Sequence, residues 1–197
     1  MRVGFLGGTF DPIHFGHIHI AIALAEAHSL DQVLFCPARL SPDKQGQPPL
    51  ASPQQRKKMI ELVMQELPQC SLFDWELHRE GPSYTIETLR HWKKDHKEPI
   101  FLLLGSDVLP SLPHWREIDA LLDLAPPLIG SRSIEEVFRV QELMPKFKEK
   151  IVAGHTTIPV LEISSTLVRR RLFERKYCGH LVPASVLEFI FKNRLYL

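Results

Sequence analysis

The chain has 197 residues, of which 44% are hydrophobic and 24% are charged, and its formal net charge is +1. This balance is typical of a soluble globular protein of one domain, and it argues against the broad basic surface of a nucleic-acid-binding protein. No apolar run approaches the length of a membrane span, so we expect no membrane partner. The three cysteines, at positions 36, 70 and 178, form no motif and predict a reducing, cytoplasmic location.

The first half of the chain alternates short apolar runs with amphipathic stretches. Strands are predicted at 3–6, 33–35 and 71–74, and helices at 15–28, 53–67 and 85–96. Ser52 and Pro53 supply the N-cap and the first position of the second helix. The long Pro-rich segment 37–53 is typical of a functional lid or a mobile linker.

The second half continues the same alternation and adds helices at its end. Strands are predicted at 100–104, 127–129 and 157–161, and helices at 115–124, 133–144, 164–175 and 183–193. Because the strands are continuously apolar and alternate with helices, they predict an α/β fold, with a parallel sheet covered by helices on both faces. We divide the single domain into a core at 1–162 and a small C-terminal helical cap at 163–197.

A glycine-rich turn with two histidines follows the first strand in the stretch "GGTFDPIHFGH", residues 7–17. Gly7 and Gly8 allow a sharp turn and a close backbone approach to a ligand, and the amides of the next helix favour an anion. His14 and His17 stand three residues apart at that helix start, so both rings should lie near one point. Two imidazoles beside such a turn can bind phosphate oxygens, and nearby phosphates would raise their pKa.

Other interpretations of this stretch stay open at the level of spacing. Neither the P-loop pattern nor the dinucleotide-binding glycine pattern is present. A metal site formed by His14, His17 and His19 would lack carboxylate or thiolate ligands nearby. The simplest alternative is a tight turn that carries two surface histidines.

The order of these residues resembles the signature of the nucleotidyltransferase superfamily, in which G-T-F-D-P precedes H-x-G-H. The resemblance implies that His14 and His17 stabilise charge on nucleotide phosphates. It also implies that the turn itself binds ATP, through Gly7, Gly8, Thr9 and Phe10. The signature is specific for the superfamily and says little about the second substrate.

A second stretch, "ISSTLVRRRL" at 163–172, resembles the element that closes over ATP phosphates in this superfamily. Ser164 can cap a helix and Arg169 offers a planar fork for phosphate oxygens, although a solvated basic helix is an equal alternative. The resemblance implies that Arg169 is catalytic. It assigns further ATP contacts to Ile163, Ser164, Ser165 and Thr166.

Two further stretches, "GPSYTIETL" at 81–89 and "GSDVLPSLPHW" at 105–115, resemble the bacterial nicotinate mononucleotide adenylyltransferase family. The resemblance implies that Trp115 stacks on the pyridine ring and that amides near Tyr84, Thr85, Trp115 and Arg116 bind its carboxylate. Asp107 suits a ribose hydroxyl or a metal-bound water on the ATP side. Without the family, ordinary packing would be favoured for Trp115 and a helix-terminal acid for Asp107.

The long loop departs from that family at one position. "PDKQGQPPLASPQQRKKMIEL", residues 42–62, resembles a P-P-H-K loop followed by an Arg-led helix. Lys44 and Arg56 match, whereas Asp43 stands in place of the histidine. Lys44 is assigned to ATP phosphate, and a solvated lysine is nearly as good an interpretation.

Together the motifs imply a Rossmann-like, doubly wound nucleotidyltransferase that joins ATP to nicotinate mononucleotide and releases pyrophosphate. Mg²⁺ would arrive with ATP, with no metal ligand from protein side chains. The alternatives are another phosphate monoester substrate (nicotinamide mononucleotide or phosphopantetheine), a non-catalytic nucleotide-binding relative, and an RNA-binding relative that uses the basic run 169–176. We expect no nucleic-acid partner, and homo-oligomerisation stays open.

Overall fold

The structure is a computed structural model that describes residues 1–42, 48–133, 145–159 and 161–197. Its strands form a six-stranded sheet within the described residues, in the order β3-β2-β1-β4-β5-β6. Their bounds are β1 Val3–Gly8, β2 Gln32–Pro37, β3 Cys70–Leu72, β4 Ile100–Gly105, β5 Pro127–Ser131 and β6 His155–Thr157. The order reverses at β1, and helices lie on both sides, so the predicted doubly wound parallel sheet is confirmed.

The helices follow the predicted alternation. Their bounds are α1 Phe15–Ala27, α2 Pro53–Met64, α3 Thr85–Asp95, α4 Ile118–Leu124, α5 Lys148–Ala153, α6 Ser165–Phe173 and α7 Ala184–Lys192. The predicted cap of α2 is confirmed, since the Ser52 hydroxyl accepts from the Gln55 amide and the Gln55 side chain accepts from the Ser52 amide. No helix in the described ranges has the length and apolar character that a membrane span requires.

The described residues group into two compact units, each with its own apolar core. The first comprises residues 1–6, 20–34 and 84–160, and its sheet pairs Val3 with Ile100 and Leu102 with Pro127. The second comprises residues 7–19, 35–83 and 161–197. Its buried apolar side chains include Phe10, Phe35, Met59, Val186 and Ile190. The division into a core and a cap at residue 163 stays a prediction.

Three elements of the first unit differ between the prediction and the structure. The last strand is β6 at His155–Thr157 and not at 157–161, because Pro159 has no amide to give to a ladder. Helix α5 was not predicted, since its lysine-rich and glutamate-containing sequence buries only Ile151. The predicted helix at 115–124 begins at Ile118, after a single 3₁₀ turn at Leu112–His114. The predicted helix at 133–144 falls almost entirely outside the described residues.

Arg56 is the largest fully buried side chain of the second unit, with no exposed surface. Its guanidinium donates to the carbonyl oxygens of Thr9 at 2.7 Å, Ala38 at 2.6 Å and Arg39 at 3.3 Å. Burial lowers the pKa of Arg56, and the Asp11 carboxylate opposes that shift. The Arg56 side chain therefore connects the start of α2 by hydrogen bonds to the turn after β1 and to the residues that follow β2.

Replacing Arg56 with methionine should destabilise the protein by about 3 kcal/mol, because three buried or partly buried carbonyls would lose their donor while the side-chain volume is nearly kept. Urea unfolding measures the loss. The matched control is Arg90→Met, which removes an exposed arginine paired with Glu117 at 2.6 Å and should change stability little. Equal stabilities for Arg56→Met and the wild type would show that the three carbonyls do not depend on the guanidinium.

Candidate functional site

The turn after β1 lies in the second unit and is held from several sides. Phe10 is buried with a left-handed φ of 50°, and its ring covers Gly8. A Cβ at Gly8 would lie 3.0 Å from that ring, so a side chain there would displace Phe10. The Phe10 ring also makes an edge contact with His17, with centroids 4.9 Å apart. Phe10 thus packs against both Gly8 and the His17 ring.

His14 and His17 stack on each other, with ring centroids 3.6 Å apart and an interplanar angle of 23°. The His14 amide donates to His17 Nδ1 at 3.3 Å, which leaves Nε2 as the nitrogen that carries the His17 proton. A Cβ at Gly16 would lie 3.1 Å from the His14 ring, so glycine there keeps room for the pair. The structure therefore brings the two predicted histidines together.

His14 is 4% exposed, and its Nδ1 has no hydrogen-bond partner among the described residues. Burial lowers the pKa of His14 to about 4, which makes the ring neutral at pH 7 in the free protein. The predicted rise in pKa depends on nearby phosphates and is not tested by this structure. An unpaired nitrogen on a buried ring is a group that an incoming ligand can satisfy.

Asp11, between the glycines and the histidines, is 3% exposed and accepts three hydrogen bonds. The donors are the amides of Leu50 at 2.9 Å and Ala51 at 3.0 Å, and the hydroxyl of Tyr196 at 2.6 Å. The guanidinium of Arg169 lies 3.8 Å from the carboxylate. A buried carboxylate is costly without hydrogen-bond donors or a nearby positive charge. Asp11 therefore connects the turn to residues 50–51, to Arg169 and to Tyr196.

The segment 163–169 lies against the same turn. Arg169 donates to the Asp11 carbonyl oxygen at 2.6 Å and to Thr166 Oγ1 at 3.2 Å, and Ser165 Oγ donates to the Pro12 carbonyl oxygen at 2.9 Å. The Ile163 carbonyl approaches Gly16 from the other side. All predicted residues of this segment thus belong to one unit with the histidine pair.

The start of α6 has the cap that the sequence predicts. The Ser164 hydroxyl accepts from the Leu167 amide at 3.1 Å. A cavity of about 190 Å³ is lined by Ser164, Thr166, Leu167 and Arg170. The helix start is therefore open on one side, where backbone amides can meet an anion.

The residues assigned to the mononucleotide lie in the first unit, where Arg116 contacts Tyr84. The Arg116 guanidinium lies 4.5 Å from the centre of the Tyr84 ring and 2.9 Å from the Glu87 carboxylate. Trp115 is half-buried, and its indole N–H donates to Ser111 Oγ at 3.4 Å. The Trp115 amide already donates to the Leu112 carbonyl at 3.1 Å. Thr85 begins α3, whose N-cap Tyr84 makes no side-chain capping bond.

Asp107 stands in the 3₁₀ turn Ser106–Val108 that follows β4, and it is exposed. A Cβ at Gly105 would lie 2.5 Å from Asp107 Oδ1, so glycine there allows the carboxylate to fold back over the strand end. This position is compatible with the predicted ribose or metal-bound water contact. Asp43 and Lys44 lie outside the described residues.

No group of three or more His, Cys, Asp or Glu that could hold a metal ion occurs among the residues that the structure describes. The alternative of a metal site at His14, His17 and His19 therefore finds no further ligand there.

Comparison with known proteins identifies the family. The profile described as cytidylyltransferase-like matches residues 5–171, which is most of the chain. The chain belongs to the cytidylyltransferase-like family.

Within this family, the chain is similar over its whole length to three bacterial proteins named probable nicotinate-nucleotide adenylyltransferase. The protein of Bacillus cereus (strain Q1) is 37% identical over 198 residues, and that of Clostridium beijerinckii is 35% identical over 204. Each match covers 99% of this chain and 98% of the relative. The protein of Dictyoglomus thermophilum is 35% identical over 199 residues and is covered completely.

Two solved structures of the Plasmodium falciparum nicotinic acid mononucleotide adenylyltransferase, complexed with APC and with NaAD, share the fold. Their TM-scores are 0.75 and 0.76 at 21% and 22% sequence identity. The matches cover 99% of this chain and 96% and 97% of the solved chains.

Sequence reasoning about this family member missed the roles of Asp11, Tyr196 and Arg56. Arg56 carried a signal, because it shares the i, i+3, i+4, i+7 apolar face of α2 with Met59, Ile60 and Val63. An arginine at a core position of that pattern predicts a buried guanidinium. Asp11 and Tyr196 are 185 residues apart, and no local pattern connects them.

Acid should destabilise the wild type more than His14→Gln between about pH 6.5 and pH 4. The unfolded chain takes up a proton at His14 near the ordinary pKa, whereas the folded chain does so only near 4, so folding loses free energy as pH falls. The difference should reach about 3 kcal/mol, from 1.36 kcal/mol per pKa unit. Urea unfolding at pH 7, 6, 5 and 4.5 measures it.

The matched control is His180→Gln, which removes an exposed ring and retains His14. This variant should lose stability in acid as the wild type does. Parallel pH curves for the wild type and His14→Gln would contradict the buried, neutral state of His14.

Proposed function

We propose that this chain transfers the adenylyl group of ATP to nicotinate mononucleotide, giving deamido-NAD and pyrophosphate, a step of NAD biosynthesis. The observation that carries the proposal is the stacked His14–His17 pair beside a turn to which Arg169 donates a hydrogen bond. The chain that contains this pair is similar over its full length to proteins named probable nicotinate-nucleotide adenylyltransferase. The three cysteines are free and buried, which suits a reducing cytoplasm.

The chemistry needs positioning and charge neutralisation more than proton transfer. The phosphate of the mononucleotide is already an anion, so it can attack the α-phosphorus of MgATP in line without a general base. Charge then develops on the phosphate oxygens and on the leaving pyrophosphate. The protein's task is to present hydrogen-bond donors and positive charge where that charge develops.

His14 and His17 are the donors that we assign to the α- and β-phosphates. In the free protein His14 is neutral because of its burial, and a phosphate beside it would favour the protonated ring. His17 is oriented by the His14 amide, which donates to Nδ1 and leaves Nε2 as the ring donor. The pair therefore offers two ring donors to the phosphates, and a phosphate beside His14 would add positive charge to that ring.

Arg169 and the start of α6 are assigned to the β,γ-pyrophosphate that leaves. Arg169 uses one N–H on the Asp11 carbonyl and one on Thr166, and a guanidinium has five. Its side chain is 24% exposed, so the remaining donors are within reach of a ligand. Helix α6 adds open amides at its N-terminus, and Gly7, Gly8, Thr9 and Lys44 complete the assigned ATP contacts.

The mononucleotide is assigned to the group around Trp115 in the first unit. The half-buried indole can stack on a cationic pyridine ring. The free amides at the start of α3 can bind its carboxylate, whereas Arg116 is already paired with Glu87. Asp107, by contrast, is assigned to the ATP side, where its carboxylate suits a ribose hydroxyl or a metal-bound water.

Pyrophosphate release from ATP and Mg²⁺ tests the function, with nicotinate mononucleotide, nicotinamide mononucleotide and phosphopantetheine run side by side. We expect strong preference for nicotinate mononucleotide. Backbone N–H groups placed to bind its carboxylate would be left poorly paired by the carboxamide of nicotinamide mononucleotide. Equal rates with acid and amide would discard the pocket assignment and keep the mechanism. Absence of release with all three would contradict the proposed function.

Two substitutions should affect different kinetic parameters. His14→Ala should lower kcat by about 100-fold or more, with little change in KM for the mononucleotide, because it removes charge stabilisation in the transition state. Trp115→Ala should instead raise KM for the mononucleotide about tenfold through lost stacking. Steady-state kinetics with each substrate varied separates the two effects. A His14→Ala defect confined to KM would contradict the assigned role of His14.

A further inference from the structure

We propose that Tyr196 is a positioning residue for the triphosphate: its hydroxyl holds the Asp11 carboxylate so that Arg169 remains available to phosphate. The inference rests on the proposed function for the assignment of Arg169. It adds two residues, Tyr196 and Asp11, that touch no reacting atom and act through Arg169.

The contacts around Asp11 divide its oxygen atoms among separate donors. Oδ1 accepts from the Ala51 amide at 3.0 Å and from the Tyr196 hydroxyl at 2.6 Å, and Oδ2 accepts from the Leu50 amide at 2.9 Å. Arg169 lies 3.8 Å from Oδ2, a distance at which it is attracted but not hydrogen-bonded. All three hydrogen bonds to the carboxylate therefore come from neutral donors.

Arg169 is held instead by the backbone. Its Nη1 donates to the Asp11 carbonyl oxygen at 2.6 Å, and its Nη2 donates to Thr166 Oγ1 at 3.2 Å. An arginine and a carboxylate so close together would ordinarily form a bidentate pair, which uses the guanidinium face that a phosphate needs. The neutral donors to the Asp11 carboxylate prevent Arg169 from forming such a bidentate ion pair with it.

Tyr196 is suited to this task because it stays a donor. Burial and the adjacent Asp11 carboxylate raise the pKa of its hydroxyl far above the ordinary value. The ring belongs to the same unit as the turn and Arg169. Without the hydroxyl, Oδ1 would lose its shortest contact. Arg56 also attracts Asp11, but its guanidinium is held by three carbonyl oxygens, so Arg169 is the cation that can move to compensate. Arg169 would then turn towards Asp11 and away from the triphosphate.

The test is Tyr196→Phe, which removes one oxygen atom. We expect KM for ATP to rise about tenfold and kcat to fall, with KM for nicotinate mononucleotide unchanged. The matched control is Tyr177→Phe, because Tyr177 is 76% exposed and its hydroxyl makes no hydrogen bond with the described residues. That control should retain all wild-type parameters. Thermal unfolding of both variants reports any loss of stability separately.

A merely structural role for Tyr196 predicts a different result, namely a lowered Tm with unchanged kinetics per folded molecule, and this result would overturn the proposal. An equal effect on both substrates would also overturn it. Calorimetric titration with inorganic tripolyphosphate gives a readout that does not need the reaction: binding should weaken in Tyr196→Phe and not in Tyr177→Phe. If the wild type released no pyrophosphate with any mononucleotide, the proposed function would fail, while this titration would still decide the role of Tyr196.

Discussion

A buried carboxylate fixes the geometry of the candidate phosphate site. Asp11 sits in the turn between β1 and α1, and burying its charge is costly unless donors surround it. Those donors come from residues 50, 51 and 196, with Arg169 nearby. The turn is therefore held by segments that are far away in sequence. Because the Asp11 carboxylate needs donors, it brings together the residues just before α2, the helix that carries Arg169 and the chain near Tyr196.

The backbone of the turn is satisfied in the same manner. The carbonyl of Thr9 accepts from Arg56, that of Asp11 from Arg169 and that of Pro12 from Ser165. Because these carbonyls are paired with protein side chains, the turn needs no ligand to keep its shape. Such preorganisation is what electrostatic catalysis requires, since donors that are already in place need no rearrangement when charge develops.

Local features of this fold could be predicted from the sequence and long-range ones could not. Apolar runs located the strands, and Ser52 and Ser164 marked two helix starts, because caps act over three residues. Strand β6 was predicted two residues too late, at 157–161. The apolar residues that follow His155–Thr157 resemble a strand in sequence, and that pattern does not register the missing amide of Pro159. The histidine pair followed from helical spacing, whereas the bond between Asp11 and Tyr196 exists only in the folded chain.

Several positively charged or chargeable side chains of the second unit lie near one another even without a ligand. Arg56, Arg169 and two histidines lie around one short turn, and a full positive charge on each would make them repel one another. Arg56 donates its hydrogen bonds to carbonyl oxygens, Arg169 lies near the Asp11 carboxylate, and burial keeps His14 neutral. In the proposed complex, a triphosphate beside His14 would favour the protonated ring, because its negative charge attracts the imidazolium. Under that assignment, positive charge would be greatest when the nucleotide is bound, and the free protein would not need to hold a buried charge at His14.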